Sequence, residues 1–246
     1  MKIRYLPLAV FFASFMSLSI FGQGSVLVND PVAESVKMDA AAPDGGKTGL
    51  PAAEEAVFNK SVLPKARAKL KSEGCEETIE VAGRVVGAFT RAGSKQTLIF
   101  YQFCQTGNGL GSVGVAVLEN GKVVGNYVSA ESGWSVDAKA LPDLNQNGVD
   151  EIALYYSGGM HQGAGGTGVD IMEVSSRGLI GVGWFMAEEF TETSPVMGYK
   201  VTANPGAKPV FFREKYTQNS AGKWRKTGVA APLRLKEVNS TFVTVN

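Results

Sequence analysis

The chain has 246 residues, 44% of them hydrophobic, with 24 Lys and Arg against 23 Asp and Glu for a formal net charge of +1. That hydrophobic share suffices for a packed core, while charge that is balanced and scattered excludes the basic face a nucleic-acid partner requires. The two cysteines have no histidine near them in sequence, so a zinc set of Cys and His ligands is incomplete.

Lys2 and Arg4 precede an apolar run from Leu6 to Phe21 whose only polar interruptions are serines, and small or polar residues follow from Gly22. This is the pattern of a signal peptide over residues 1–22. The run falls short of the roughly 20 residues that cross a bilayer and is not repeated downstream, so the expectation is a secreted or periplasmic chain without a permanent membrane span. Residues 23–53 are rich in Ala, Pro, Gly and Asp and hold no aromatic side chain, which reads as a disordered linker. Residues 54–74 read as a helical segment. In "SVLPKARAKLKSEGC", Ser61 stands ahead of Pro64, helix formers continue to Leu70, and Gly74 is the stop. The basic residues Lys60, Lys65, Arg67, Lys69 and Lys71 read as the solvated face of this helix. In an oxidising compartment Cys75 and Cys104 are expected to form a disulfide. Closing a loop of about 30 residues stabilises by roughly 3 to 4 kcal/mol on the chain-entropy account.

From residue 75 to residue 246 the pattern is that of strands. In "VGVAVLENGKVVGNYV" two β-rich runs flank Asn120-Gly121, a pair that tolerates positive φ at both turn positions and so predicts a hairpin. The chain also resembles itself. "AFTRAGSKQTLIFY" from Ala88 lies under "DLNQNGVDEIALYY" from Asp143, an offset of 55 residues that sets Gly93 under Gly148. "GVAVLENGKVV" from Gly114 lies under "GVDIMEVSSRGLI" from Gly168, and a weaker third copy, "VTANPGAKPVFF", begins at Val201. A unit of about 55 residues accommodates four short strands, as in a propeller blade, although three units are fewer than propellers use. The expected fold class is therefore all-β, with propeller-like repeats and a short N-terminal helix; a β-sandwich is the alternative.

The stretch "DLNQNGVDEI" carries oxygen at alternate positions around a glycine. Counting Asp143 as position 1, oxygens fall at Asn145, Asn147, the Val149 carbonyl and Glu151, with Gly148 at position 6. A hard cation such as calcium takes six to eight such oxygens. The competing reading is a polar hairpin turn that holds no ion. An EF-hand is disfavoured, because position 12 is Leu154 and the chain continues as a strand. These residues resemble the calcium loops of FG-GAP or VCBS-type repeats, which read roughly D-x-[DN]-x-D-G-x-x-[DE] and lead directly into a strand. The resemblance covers one unit of three and implies propeller blades, calcium held between strands, and an adhesive or scaffolding role outside the cytoplasm. Asn147 replaces the usual acid at position 5, and two carboxylates imply weak binding, on the order of 10⁻⁴ to 10⁻³ M. "TRAGSKQ" and "ANPGAKP" in the other units keep the glycine and have lost the acids.

Other chemistry is thin. His161 is the only histidine, and no G-x-S-x-G elbow accompanies it. Gly163 to Gly168 form a G-x-G-x-x-G, but "VDIMEV" follows with strand alternation where a dinucleotide site needs a helix. Glu188, Glu189 and Glu192 could offer an acid and a base for sugar hydrolysis, with no specific spacing. Trp134, Trp184 and Trp224 recur once per unit and read as packing residues, with sugar stacking as the alternative. The expectation is a non-enzymatic binding or scaffolding protein of the cell envelope or surface, with a weak calcium site and a protein or glycan partner. The alternative is an exported glycan-acting hydrolase.

Overall fold

The computed structural model describes residues 24–33, 49–70, 79–106, 110–132, 134–157, 163–176, 178–192 and 194–245. A short strand β1 (Val26–Asn29) comes first, followed by helix α1 (Ala52–Val57), a π-helical turn (Phe58–Val62) and helix α2 (Leu63–Leu70). Four long strands succeed these: β2 (Ile79–Gly87), β3 (Gln96–Thr106), β4 (Leu110–Glu119) and β5 (Lys122–Ser132). A further meander comprises β6 (Trp134–Leu141), β7 (Glu151–Ser157), β8 (Ala164–Ser175), β9 (Gly178–Thr191), β10 (Ser194–Asn204), β11 (Val210–Gln218) and β12 (Trp224–Lys226). Two short strands, β13 (Ala231–Leu233) and β14 (Val243–Thr244), complete the order.

The strands form two antiparallel sheets. One has the order β14-β5-β4-β3-β2, and the other runs β12-β11-β10-β9-β8-β7-β6 with β1 added to β10 and β13 to β11. The hairpin at Asn120-Gly121 is present, with φ of 50° and 72° and Glu119 opposite Lys122. All-β architecture therefore holds, and the packed antiparallel sheets are those of the sandwich alternative. The second and third units expected from the self-comparison share one sheet, because β9 pairs with β10 through Met197↔Glu189 and Gly198↔Glu188.

Strand alternation assigns each side chain to a layer. Leu98 and Phe100 of β3, with Val113, Val115 and Val117 of β4, face Ala138, Ile152, Leu154, Met172 and Val174 of the second sheet. The intervening residues Ile99, Tyr101, Phe103, Ala116 and Leu118 point the other way, onto Phe58, Val62, Leu63 and Ala66 of the helical segment. The Phe58 and Tyr101 rings meet edge to face at 4.9 Å. Lys60, Lys65 and Lys69 are exposed, as the sequence suggested, Arg67 is half-buried, and Lys71 lies outside the described residues.

The far face of the second sheet is apolar too. Ala153, Tyr155, Val169, Ile171, Phe185, Val201 and Phe211 pack on one another along with Val28, so the sheet curls around its own face. β1 draws the curl together. It pairs with β10 (Val26↔Ala203, Leu27↔Thr202), while Lys139 Nζ of β6 donates to the carbonyls of Leu27 at 2.9 Å and Val28 at 3.1 Å. The segment that composition reads as a linker thus contains a structural strand, four residues long. No helix among the described residues is long and apolar enough to cross a membrane. The expected signal peptide, and the Cys75–Cys104 bridge through Cys75, fall outside the described residues.

Candidate functional site

The loop that carries Asp143 joins β6 to β7 and is pinned at its base by Leu141 and Leu144, both buried. Gln146 and Gly148 take φ of 62° and 95°, which turns the chain back within a few residues. The short polar side chains then close on the backbone, as Asp and Asn do in turns. Asp143 accepts from the Asn147 amide at 3.0 Å and the Gly148 amide at 2.7 Å, one on each carboxylate oxygen. Asn145 Oδ1 accepts from Asn147 N at 3.1 Å, and Asn147 Oδ1 from Val149 N at 3.0 Å. Both Asn side-chain amides donate to a single oxygen of Glu173 on β8, each at 2.7 Å. Glu173 was not singled out by the sequence, because it enters from a neighbouring strand and belongs to no local motif.

Glu151 opens β7 and is wholly buried. Its Oε2 accepts from the Leu144 amide at 2.7 Å, and its Oε1 has no hydrogen-bond partner. Burial, reinforced by the Asp143 and Glu173 carboxylates and opposed by the Leu144 amide, pushes its carboxyl up to about 7. A buried polar atom left unpaired costs about 1 to 3 kcal/mol. A cation beside it would remove both the unmet acceptor and the repulsion.

Unit one offers an internal comparison. Gln96 opens β3 at the position matching Glu151 and is equally buried, but it is neutral and satisfied. Its Oε1 accepts from Thr90 N at 2.9 Å and its Nε2 donates to Thr90 Oγ1 at 2.6 Å. Phe89 matches Leu144 as the buried anchor, and Gly93, with φ of 69°, matches Gly148. The loops also touch. Asp150 Oδ2 accepts from Ala88 N at 2.7 Å, Asp150 N donates to Ala88 O at 3.0 Å, and Gly206 N of the third loop donates to Leu144 O at 2.8 Å. Three glycine turns therefore meet at one end of the fold, with a bare carboxylate oxygen in the middle one.

No group of three or more His, Cys, Asp or Glu side chains among the described residues is arranged to hold a metal ion. Any cation in the loop would depend on the amide oxygens of Asn145 and Asn147 and the Val149 carbonyl beside Asp143 and Glu151. The donor chemistry fits, being oxygen throughout.

The remaining candidates are dispersed. His161 lies outside the described residues. Glu188 and Glu189 are successive in β9 and point to opposite faces; burial pushes the Glu188 carboxyl up, and Glu189 accepts a short hydrogen bond from the Tyr199 hydroxyl. Glu192 follows the strand and is exposed, so the three glutamates are not gathered in one cavity. Gly165, Gly166 and Gly168 lie within β8, the strand that the alternation of "VDIMEV" indicated. Trp184 covers Gly168, where a Cβ would come within 2.7 Å of the indole nitrogen, and Trp224 covers Gly198 at 2.9 Å. Two of the three tryptophans thus pack on glycine, and Trp134 is 39% exposed. Comparison with family models, with curated proteins and with solved structures finds no match to the chain.

Proposed function

We propose that this is an exported, non-enzymatic binding or scaffolding protein of the cell envelope or surface, whose Asp143–Glu151 loop takes up calcium weakly. The observation that carries the reading is the unpartnered, buried Oε1 of Glu151 beside Asp143 and Glu173, where unit one keeps a satisfied glutamine. Asp143, Asn145, Asn147, Val149 and Glu151 would supply the oxygens, and the ion would tie the end of β6 to the start of β7. The resemblance to FG-GAP or VCBS-type units is supported by the matched anchors, Phe89 with Leu144 and Gly93 with Gly148, and by the meeting of the three turns. Export, to the periplasm or beyond, rests on residues 1–22, and the partner in this reading is a protein or glycan.

Thermal unfolding with and without 10 mM calcium tests it, alongside Asp143→Ala. A ligand that binds only the folded state stabilises by RT ln(1 + [L]/Kd), about 1.4 kcal/mol at ten times Kd. At roughly 2 to 4 °C per kcal/mol for a domain of this size, the midpoint rises by about 3 to 6 °C and the variant abolishes the rise. An unchanged midpoint at that concentration means that the loop is a polar turn.

A further inference from the structure

Beyond the calcium loop, a second feature lies where the last part of the chain crosses the two sheets. Lys236 exchanges two backbone hydrogen bonds with Trp184 of β9, each 2.9 Å. Val238 and Phe242, both partly buried, pack against the core between the sheets, and the Thr241 hydroxyl meets Ser129 Oγ of β5 at 2.6 Å. Under this strap is a cavity of about 230 Å³, walled by Tyr156, Met172 and Trp184 from the second sheet and edged by Asn239 and Ser240 from the strap. Asp170 lines it.

Asp170 sits in the middle of β8, between Val169 and Ile171, whose side chains enter the curled core on the other face. Its carboxylate is opposite Trp184 and Leu154 across the two ladders, and among the described residues it makes no hydrogen bond and no ion pair. Burial alone pushes it up to about 6, so at neutral pH it is a charge without a counter-ion in an aromatic and thioether-lined recess. Among the described residues nothing is paired with this charge. An apolar residue would suit its neighbours Leu154 and Met172 better.

The complement of such a recess is a cation with an apolar stem. One carboxylate is too few for a hard metal ion, which calls for six or more oxygens, and an anion would be repelled. An organic ammonium satisfies the carboxylate through its N–H groups and lays its methylene groups on the rings. Trp184 already bears one such cation: Lys236 Nζ stands 4.7 Å from its ring centroid. The cavity admits a molecule of a few heavy atoms, and Ser240 and Asn239 at its edge offer hydrogen bonds to a polar far end.

We propose that the cavity beneath the 236–242 strap binds a small organic ammonium compound, with Asp170 as its counter-ion and Trp184 and Tyr156 as its aromatic walls.

The test is a titration of the intact chain with n-butylammonium chloride, with n-butanol as the neutral counterpart and sodium chloride matching the ionic strength. The readout is the indole N–H resonance of Trp184, assigned by its loss in Trp184→Phe. The butylammonium ion is expected to move that resonance saturably, with a dissociation constant in the millimolar range. Asp170→Asn, which removes a charge and keeps the shape, weakens binding about tenfold or more, as expected for loss of a charge-assisted contact. Butanol at the same concentrations leaves the resonance in place. Equal responses to butylammonium and butanol in the wild-type chain would reduce the cavity to an apolar crevice and overturn the assignment without recourse to any variant. So would unchanged affinity in Asp170→Asn, or no saturable shift up to roughly 100 mM, a concentration well above a millimolar constant.

Discussion

Asp170→Asn should stabilise the fold, and only above a particular pH. The folded-state carboxyl is pushed up to about 6 from an ordinary value of 3.8, a rise of about two units caused by burial. Each unit corresponds to about 1.4 kcal/mol, so ionising Asp170 in the folded chain costs up to about 3 kcal/mol. Because the folded value is the higher one, the stability associated with the protonated form is complete below about pH 4 and is lost as the pH rises through about 6. Asparagine does not titrate. Wild type and variant should therefore melt together near pH 3.5 and separate progressively to pH 7, where the variant leads by up to about 3 kcal/mol, or about 6 to 12 °C at 2 to 4 °C per kcal/mol. Among the described residues, Tyr156, kept protonated by burial and by Asp170 itself, is the other titratable group lining the cavity, and Lys236 stacks on its Trp184 wall. Melting followed by circular dichroism in amine-free buffers at half-unit pH intervals measures the difference. A variant less stable than wild type at pH 7, or a gap that does not change with pH, would refute the reasoning, since either means that the charge is compensated within the fold.

Three further outcomes are expected. A Cβ at Gly114 would come within 2.1 Å of the Tyr101 ring, which is held by Phe58 and Phe103, so Gly114→Ala costs about 2 to 3 kcal/mol in urea unfolding through overpacking. Phe58→Ala removes the fully buried anchor of the helical segment and costs about 3 to 5 kcal/mol, with amide exchange across α1 and α2 rising before that of β3 and β4. Arg84 reaches both oxygens of Glu54 at 2.6 and 2.7 Å on the surface, and Arg84→Ala costs less than about 1 kcal/mol in the same assay, less still at high salt.

What the sequence made legible is what is local or periodic. Asn120-Gly121 announced its hairpin because the backbone conformation it needs is a property of those two residues. At the 55-residue offset between Ala88 and Asp143, Phe89 and Leu144 are both buried, and Gly93 and Gly148 both take a positive φ. Asp143 to Glu151 was singled out for the same reason, yet the loop is completed by Glu173, which only strand pairing brings near. Asp170 passed unnoticed because in "GVDIMEV" an alternating acid reads as solvent-facing, whereas the second sheet is covered on both faces. β1 was concealed by brevity and by composition. The segment read as helical over residues 54–74 is helical from Ala52 to Leu70 among the described residues, with a π-helical turn at Phe58–Val62 just ahead of Pro64, which cannot donate to the ladder.

The pairing of β1 with β10 also bears on the order in which the molecule assembles. Leu27 lies opposite Thr202, some 175 residues later, whereas the pairs from β2 to β5 and from β6 to β9 join sequence neighbours. Contacts between neighbours form early, and closing so long a loop comes late and slowly. During synthesis β1 must therefore wait for its partner until β10, some 175 residues later, has appeared. Until the two meet, the edge of β10 that β1 finally covers stays open to other chains. Folding yield in this protein should then be governed less by its two meanders than by how well a four-residue strand finds its place at the end.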